Sequence, residues 1–310
     1  MNCILCGSSS NKVIYNYTRF KKNNILKCNN CSIVFLELKQ SKGNIEEFYK
    51  EEYRNSSDSL VLTPDELFNN HITRQDCRKR LFWVESVYGS LKEKRVVEIG
   101  SASGAFLSTL TKAGAIASGI EFDKKQVEYS RMLGLNVTAT KFEENDFKNL
   151  DLVVMFHTLE HILDPLSLTK SIHASLKPKG VFLGEVPNQD DWRMSIFDCD
   201  AVKRFHYDPY HYYYYSPLSL YTLLYKGGFK SNNISLSSVE RYSSLIQLRR
   251  ILGGYYDGPI DKILTSDIFA KEEDDVRITS SGKKALFNDM FEAGVNSDLR
   301  GNCLRWVSIS

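Results

Sequence analysis

The chain reads as a doubly wound α/β sheet with a small cysteine-bound module in front of it. From Arg95 onward short apolar runs alternate with amphipathic stretches, the pattern of parallel β-α units. Ahead of them stand two Cys-x-x-Cys pairs, Cys3 with Cys6 and Cys28 with Cys31, in the spacing of thiolate metal ligands. With 310 residues, 42% of them hydrophobic, the chain can bury a sizeable core, which excludes disordered and low-complexity classes. Lys and Arg exceed Asp and Glu by only 40 − 38 = 2, too little to hold a phosphate backbone, so nucleic acid is not an expected partner. No stretch approaches the roughly 20 apolar residues that cross a bilayer, and no basic, apolar leader opens the chain. A cytoplasmic protein with no membrane span is expected, and nothing in the pattern sets an oligomeric state.

Three regions follow in order. In residues 1–40 the cysteine pairs form two knuckles whose sulfurs converge on one tetrahedral zinc, and the Val13 to Leu26 stretch between them suits a small hairpin. Four thiolates leave zinc no open position, so this metal is structural. Residues 41–94 read as a helical connector. Ile45, Phe48, Tyr49 and Tyr53 fall at helical spacing, Asn55 to Ser59 break it, and one helix is expected from Pro64 to Tyr88 because Leu67, His71, Arg74, Cys77 and Leu81 recur every three or four residues. Residues 95–310 hold the sheet. Its strands are expected at Arg95 to Gly100, Ile116 to Glu121, Val137 to Thr140, Leu152 to Phe156, Val181 to Val186, Phe229 to Ser237 and Cys303 to Ser308. An insertion at about 238–300 carries Tyr255 to Pro259 and a solvated acidic run, Glu272 to Asp275.

Ligands of such sheets bind beyond the carboxyl ends of the strands. There the chain places Glu98-Ile99-Gly100-Ser101-Ala102-Ser103-Gly104, where the glycines permit close approach and the next helix offers free amides. Glu121 ends the second strand, where a carboxylate can accept both hydroxyls of a ribose. That much also suits a dinucleotide. However, Glu98 would repel a pyrophosphate and attract an ammonium, the loop is not G-x-G-x-x-G, and His157-Thr158-Leu159-Glu160-His161 follows the fourth strand.

Together with Asp151 to Pro165 and the turn Leu176-Lys177-Pro178-Lys179-Gly180, these motifs resemble the class I S-adenosylmethionine-dependent methyltransferases over residues 95 to about 237. The resemblance implies a Rossmann-like sheet and S-adenosylmethionine as methyl donor. It implies that Glu98, Gly100, Ser101 and Gly104 hold the methionine end, that Glu121 and Phe122 meet the ribose, that the Phe142 region meets the adenine, and that Phe156 and His157 border the cofactor. Ala102 stands where the family usually has Gly. The run Pro209 to Ser216 is similar to a subgroup of small-molecule and sugar methyltransferases, some of which also carry a four-cysteine zinc module.

A hydroxyl acceptor needs a base within hydrogen-bond reach, and His211 and His157 are the candidates. Ubiquinone-pathway O-methyltransferases carry a Glu-x-x-Glu-His similar to residues 157–161 and use it for a divalent cation, so His157, Glu160 and His161 form a softer candidate site for an ion such as Mg²⁺. Tyr212 to Tyr215, with Tyr207 and Tyr210, either line an acceptor pocket or alternate between core and surface in one strand. The implied reaction is O-methylation of a small, sugar-like acceptor in surface-polysaccharide or natural-product assembly. C- or N-methylation, a macromolecular acceptor and a non-catalytic scaffold stay open at this point.

Overall fold

A computed structural model describes residues 2–19, 21–37, 63–240 and 299–310. The expected helix around Ile45 to Tyr53, its Asn55 to Ser59 breaker, Tyr255 to Pro259 and the acidic run Glu272 to Asp275 lie outside the described residues.

The main sheet has seven strands: β4 (Arg95–Ile99), β5 (Ile116–Ile120), β6 (Val137–Thr138), β7 (Leu150–Phe156), β8 (Leu176–Pro187), β10 (Ile234–Val239) and β11 (Cys303–Ile309). Their order is β10-β11-β8-β7-β4-β5-β6. Neighbours from β8 to β6 are parallel, while β11 enters antiparallel between β8 and β10. The chain winds outward from β4 through β5 to β6, then returns to β7 and continues through β8. The topological switch therefore falls between β4 and β7, the place at whose carboxyl ends such sheets bind their ligands.

The apolar runs are continuous because helices cover both faces. Along β4, Val97 and Ile99 face one core with Val153, Met155, Phe182 and Trp306, whereas Val96 faces the other with Leu152, Val154 and Phe156. Helices α5 (Pro165–Ser175) and α8 (Pro217–Lys226) cover the first face, and α2 (His71–Tyr88) and α3 (Ala105–Lys112) the second. Gly184 on β8 lets β11 come close: a Cβ there would stand 2.4 Å from the Trp306 ring and 2.1 Å from the Met155 carbonyl.

The single helix expected over Pro64 to Tyr88 is two, α1 (Pro64–Asn69) and α2. Asn70, at ψ 134°, leaves the helical region, and its Oδ1 accepts from the amides of Ile72 and Thr73, starting α2 afresh. Strand β10 starts at Ile234, later than the expected Phe229, because Ser231 to Asn233 form a 3₁₀ turn.

The N-terminal residues form β1 (Asn11–Tyr15), β2 (Ile25–Cys28) and β3 (Val34–Leu36), all antiparallel. A fourth strand, β9 (Tyr213–Tyr214), joins them, with Val34 opposite Tyr214 and Phe35 opposite Tyr213. Cys3, Leu5, Leu26, Cys28 and Phe35 belong to the same apolar cluster as Val97, Met155 and Phe182. Tyr212 to Tyr215 do not alternate between core and surface. All four are buried, because the segment runs between the cysteine module and the main sheet.

Candidate active site

The turn after β4 is built for close approach. Gly100 lies at φ +79°, its amide and that of Ser101 donate to the Ile120 carbonyl, and a Cβ at Gly100 would meet the Thr158 hydroxyl at 2.2 Å. Gly104, at φ +78°, is the N-cap of α3. Ala102 is also left-handed, at φ +44°, a conformation that costs an L-residue on the order of 1 kcal/mol. Its amide donates to Glu121 Oε2 at 2.9 Å, and the Asp123 amide donates to Oε1 at 2.8 Å, so Glu121 closes the turn at the end of β5. Phe122 beside it is exposed.

Glu98 is buried beneath this turn, and its Oε2 has no hydrogen-bond partner among the described residues. Burial pushes its carboxyl up to about 8 against the opposing pull of Arg80, with Glu121 adding to the rise. A cation seated in the turn would restore its charge and supply the missing partner.

Two sequence-derived residues turn inward. Phe156 packs edge-on against Phe106 and Trp83, and the Arg80 guanidinium lies 4.4 Å over its ring. Phe142 is buried against Phe147. Both belong to the packed core behind the strand ends.

At the end of β7, His157 is left-handed (φ +51°) and its amide donates to the Glu185 carbonyl on β8. Its Nε2 donates to Glu185 Oε1 at 3.0 Å, and its Nδ1 lies 3.7 Å from Glu160 Oε1. Arg305 on β11 donates through Nε to Glu185 Oε2 at 2.9 Å and stacks on Trp83. Burial alone would lower His157. The Cys303 side chain and the two carboxylates outweigh it and hold the imidazole well above its usual range. With Glu185 Oε1 at its Nε2 and Glu160 Oε1 3.7 Å from its Nδ1, His157 stands within a chain of ionisable groups, Arg305–Glu185–His157–Glu160. Burial likewise would raise Glu185, but His157, Arg305 and Arg80 keep it well below the usual carboxylate range. A cavity of about 40 Å³ lined by Lys79, Arg80, Glu185, Glu240 and Arg305 adjoins this chain.

The trio expected as a cation site is divided. His157 groups with Glu185 and Cys303, whereas Glu160 and His161 group with His211, each set having one donor atom per residue within 4.8 Å of the others. Glu160 and His161 sit in a 3₁₀ turn, Leu159–His161, and His211 arrives on the segment before β9, which the Tyr212 amide ties to the Glu160 carbonyl at 2.8 Å. The rings of His161 and His211 meet edge to face at 4.7 Å. Burial first, then neighbouring histidines and Arg19, push His211 well below its usual range, so it is neutral.

Sequence reasoning missed Arg80, Glu185, Cys303 and Arg305. The one available signal was Glu185 itself, a carboxylate inside the apolar run Val181 to Val186.

In the N-terminal module all four cysteine sulfurs lie within 4.8 Å of one another, with Cys3 to Cys31 at 3.3 Å and Cys6 to Cys28 at 3.6 Å. Zinc–sulfur bonds of about 2.3 Å in a tetrahedron put sulfurs roughly 3.8 Å apart, so the set fits zinc. Lys226 of α8 donates to the Leu5 carbonyl inside the first knuckle.

Residues 70–233 match a family model described as a methyltransferase domain. A ubiquinone biosynthesis O-methyltransferase of Bordetella avium is 29% identical over 136 residues, covering 40% of this chain and 56% of its own length. One from Vibrio vulnificus is 32% identical over 111 residues, covering 33% and 47%. The chain thus spans about half the length of these curated relatives. Among solved structures, a SAM-dependent methyltransferase from Archaeoglobus fulgidus superimposes with a TM-score of 0.51 at 18% identity, over 79% of this chain and 97% of its own. A phosphoethanolamine N-methyltransferase 2 from Haemonchus contortus gives 0.54 at 13% identity, over 87% and 61%. These likenesses establish the fold.

Proposed function

The chain belongs to the methyltransferase-domain family, and on that premise we propose that it transfers a methyl group from S-adenosylmethionine to a hydroxyl of a small acceptor, a nucleotide-linked or glycan sugar. The observation that carries the reading is Glu98, a buried carboxylate with an unpartnered oxygen beneath the Gly100 to Gly104 turn, which suits the ammonium of a methionine end. Gly100, Ser101 and Gly104 would present backbone to that end, Glu121 would exchange its amide donors for ribose hydroxyls with Phe122 beside it, and Phe142, Phe156 and His157 would back the crevice.

S-adenosylmethionine supplies an electrophilic methyl: the acceptor oxygen forms the new C–O bond while the C–S bond breaks with its electron pair on sulfur, and the hydroxyl loses its proton. The proton is lost at the Glu160, His161 and His211 cluster, where His211 meets the oxygen. His157, committed to Glu185 and Glu160, orients the wall instead. Cys3, Cys6, Cys28 and Cys31 hold a structural zinc that keeps the module against α8 and β9. The setting is cytoplasmic, and the reaction belongs to polysaccharide or natural-product assembly.

Similarity to O-methyltransferases supports oxygen as the methylated atom. It also gives a second reading, a phenolic hydroxyl acceptor, which product mass spectrometry with bond assignment separates from a sugar. The sugar reading rests on the resemblance of Pro209 to Ser216 to sugar methyltransferases; within that segment the half-buried His211 belongs to the cluster, and the carbonyl of the half-buried Tyr210 faces His161 Nδ1. The first test is calorimetric titration of zinc-replete protein with S-adenosylhomocysteine. Micromolar binding that falls by about 100-fold or more in Glu121→Ala supports the reading, since each hydrogen bond to a charged acceptor contributes about 1.5–3 kcal/mol. No binding by the intact chain sinks it in favour of a scaffold.

A further inference from the structure

We propose that the cavity between α2, the carboxyl ends of β8 and β10 and the start of β11 receives one oxyanion group of the acceptor, a carboxylate or a phosphoryl, held by Arg80 and Arg305 with Lys79 beside them. The acceptor is then an acidic sugar rather than a neutral one. That statement of substrate class rests on the methyl-transfer reading; the binding of the anion does not.

A pair of aromatic rings places the two guanidiniums. Arg80 lies 4.4 Å over the Phe156 ring and Arg305 4.6 Å over that of Trp83, and the two rings meet edge to face at 6.2 Å. An arginine packed on a ring through its face keeps its N–H edge for hydrogen bonds, and that edge matches a carboxylate or phosphate with two parallel bonds. Here the edges are unused. Arg80, half-buried, and Lys79 have no hydrogen bond or ion pair among the described residues, and Arg305 commits only its Nε, to Glu185 Oε2.

Three carboxylates share the lining without closing it. Both Glu185 oxygens are taken, Oε1 by His157 and Oε2 by Arg305. Glu240 Oε1 accepts from Trp192 Nε1 and the Asn302 amide, and its Oε2 is buried without a partner among the described residues. Burial pushes that carboxyl up to about 7, against the pull of Arg193, so near neutrality it carries less than a full charge and its protonated form can donate to an oxyanion. Asp76, one helical turn before Arg80, is the remaining counter-charge. A volume of about 40 Å³ is the room of roughly three waters, enough for one carboxylate or phosphoryl group and too little for a sugar ring or a nucleobase. Arg80 draws down the carboxyls of both Glu98 and Glu185, so it stands between the turn assigned to the methionine end and the charge chain around His157. An acceptor anchored there lies beside the methyl donor.

The test uses the full, zinc-replete chain with and without S-adenosylhomocysteine. Glucuronate and glucose 1-phosphate are the probes and methyl glucoside is the neutral control. Binding is followed by calorimetry and by tryptophan fluorescence, since Trp83 lies beneath Arg305 and Trp192 donates to Glu240. At least one acidic probe should bind once per chain in both conditions, at least about tenfold more tightly than the control and more weakly as salt is added. Arg80→Gln should weaken the anion by about tenfold or more while S-adenosylhomocysteine stays within about threefold of its affinity for the intact chain. Lys79→Gln, at an exposed residue, should weaken the anion by about twofold to fivefold, and it keeps the test decisive if Arg80→Gln fails to fold. Binding of neither acidic probe, or an anion held equally well by both variants, overturns the proposal. Displacement of the anion by S-adenosylhomocysteine also overturns it, by giving the guanidiniums to the cofactor's own carboxylate. S-adenosylhomocysteine binding without an anion removes this site and leaves the methyl-transfer reading standing, whereas an anion bound once per chain without S-adenosylhomocysteine binding keeps the site and sinks that reading, and with it the acceptor role.

Discussion

Replacing Glu185 by Gln probes the buried charge chain at the strand ends. In the intact chain each carboxylate oxygen accepts from a different cation, Oε1 from His157 and Oε2 from Arg305. Gln keeps one acceptor and turns an NH₂ toward the other cation, so at least one charge-assisted bond, about 1.5–3 kcal/mol, is lost and a donor faces a donor. Breaking a fully buried ion pair costs about 3–5 kcal/mol. Here the His157 and Arg305 side chains keep 21% and 19% of their exposure, so water recovers part of this and about 3 kcal/mol is expected. For a domain of this size that lowers the melting temperature by about 6–12 °C. Urea unfolding of zinc-replete Glu185→Gln, Arg305→Met and the double variant completes a cycle. The double variant should be less destabilised than the sum of the singles by about 1.5 kcal/mol, because it also removes the stranded guanidinium. A Glu185→Gln protein within about 1 kcal/mol of the intact chain, or single effects that add within about 0.5 kcal/mol, would refute the reasoning.

Three further outcomes are expected. Ala102→Gly relieves a left-handed alanine worth about 1–2 kcal/mol, less the roughly 0.5–1 kcal/mol of backbone entropy that glycine loses, so urea unfolding should show a gain of about 0–1.5 kcal/mol; a loss would contradict the strain. Stripping zinc with a chelator should lower the melting of the whole chain in one calorimetric transition, because Cys3, Leu5 and Cys28 share a core with the main sheet; a separate early transition with the main one unmoved would show the module to be independent. Burial would raise Asp151, but Lys177, the Arg95 amide and the Tyr88 hydroxyl overcome it and lower its folded value. Its stabilisation is therefore complete above an unfolded value of about 3.9 and is lost as pH falls through the lower folded value. Asp151→Asn should flatten the acid side of the stability curve in that window, and an unchanged acid limb would count against the network.

Much of this architecture is written in the chain. Strands buried on both faces read as unbroken apolar runs, and the turn from Glu98 to Gly104 announces itself because left-handed backbone at Gly100 and Gly104 favours glycine. Other features escape a local reading. Asn70 cuts a helix through its own side chain while the apolar periodicity runs on past it. Tyr212 to Tyr215 cannot be parsed as inside and outside, because their second cover comes from residues nearly 200 positions earlier. The candidate site is the hardest part: Glu160 and His161 meet His211, and His157 meets Glu185 and Cys303, only after the sheet has set β7, β8 and β11 side by side. Periodicity carries no trace of such pairings, and a lone acid in an apolar strand is the nearest thing to a warning.

The pairing of β3 with β9 also bears on synthesis. Val34 to Leu36 leave the ribosome 178 residues before Tyr214, which at about 5–20 residues per second is on the order of ten seconds or more. Throughout that interval the edge of β3 that receives β9 is an open template, flanked by the cysteine thiols, and it invites pairing with any extended segment nearby. Early metal capture would lock the first three strands in register while their partner is still being made. Zinc-starved cells should therefore accumulate this chain as aggregates seeded at its first 40 residues, before any shortage of activity is felt.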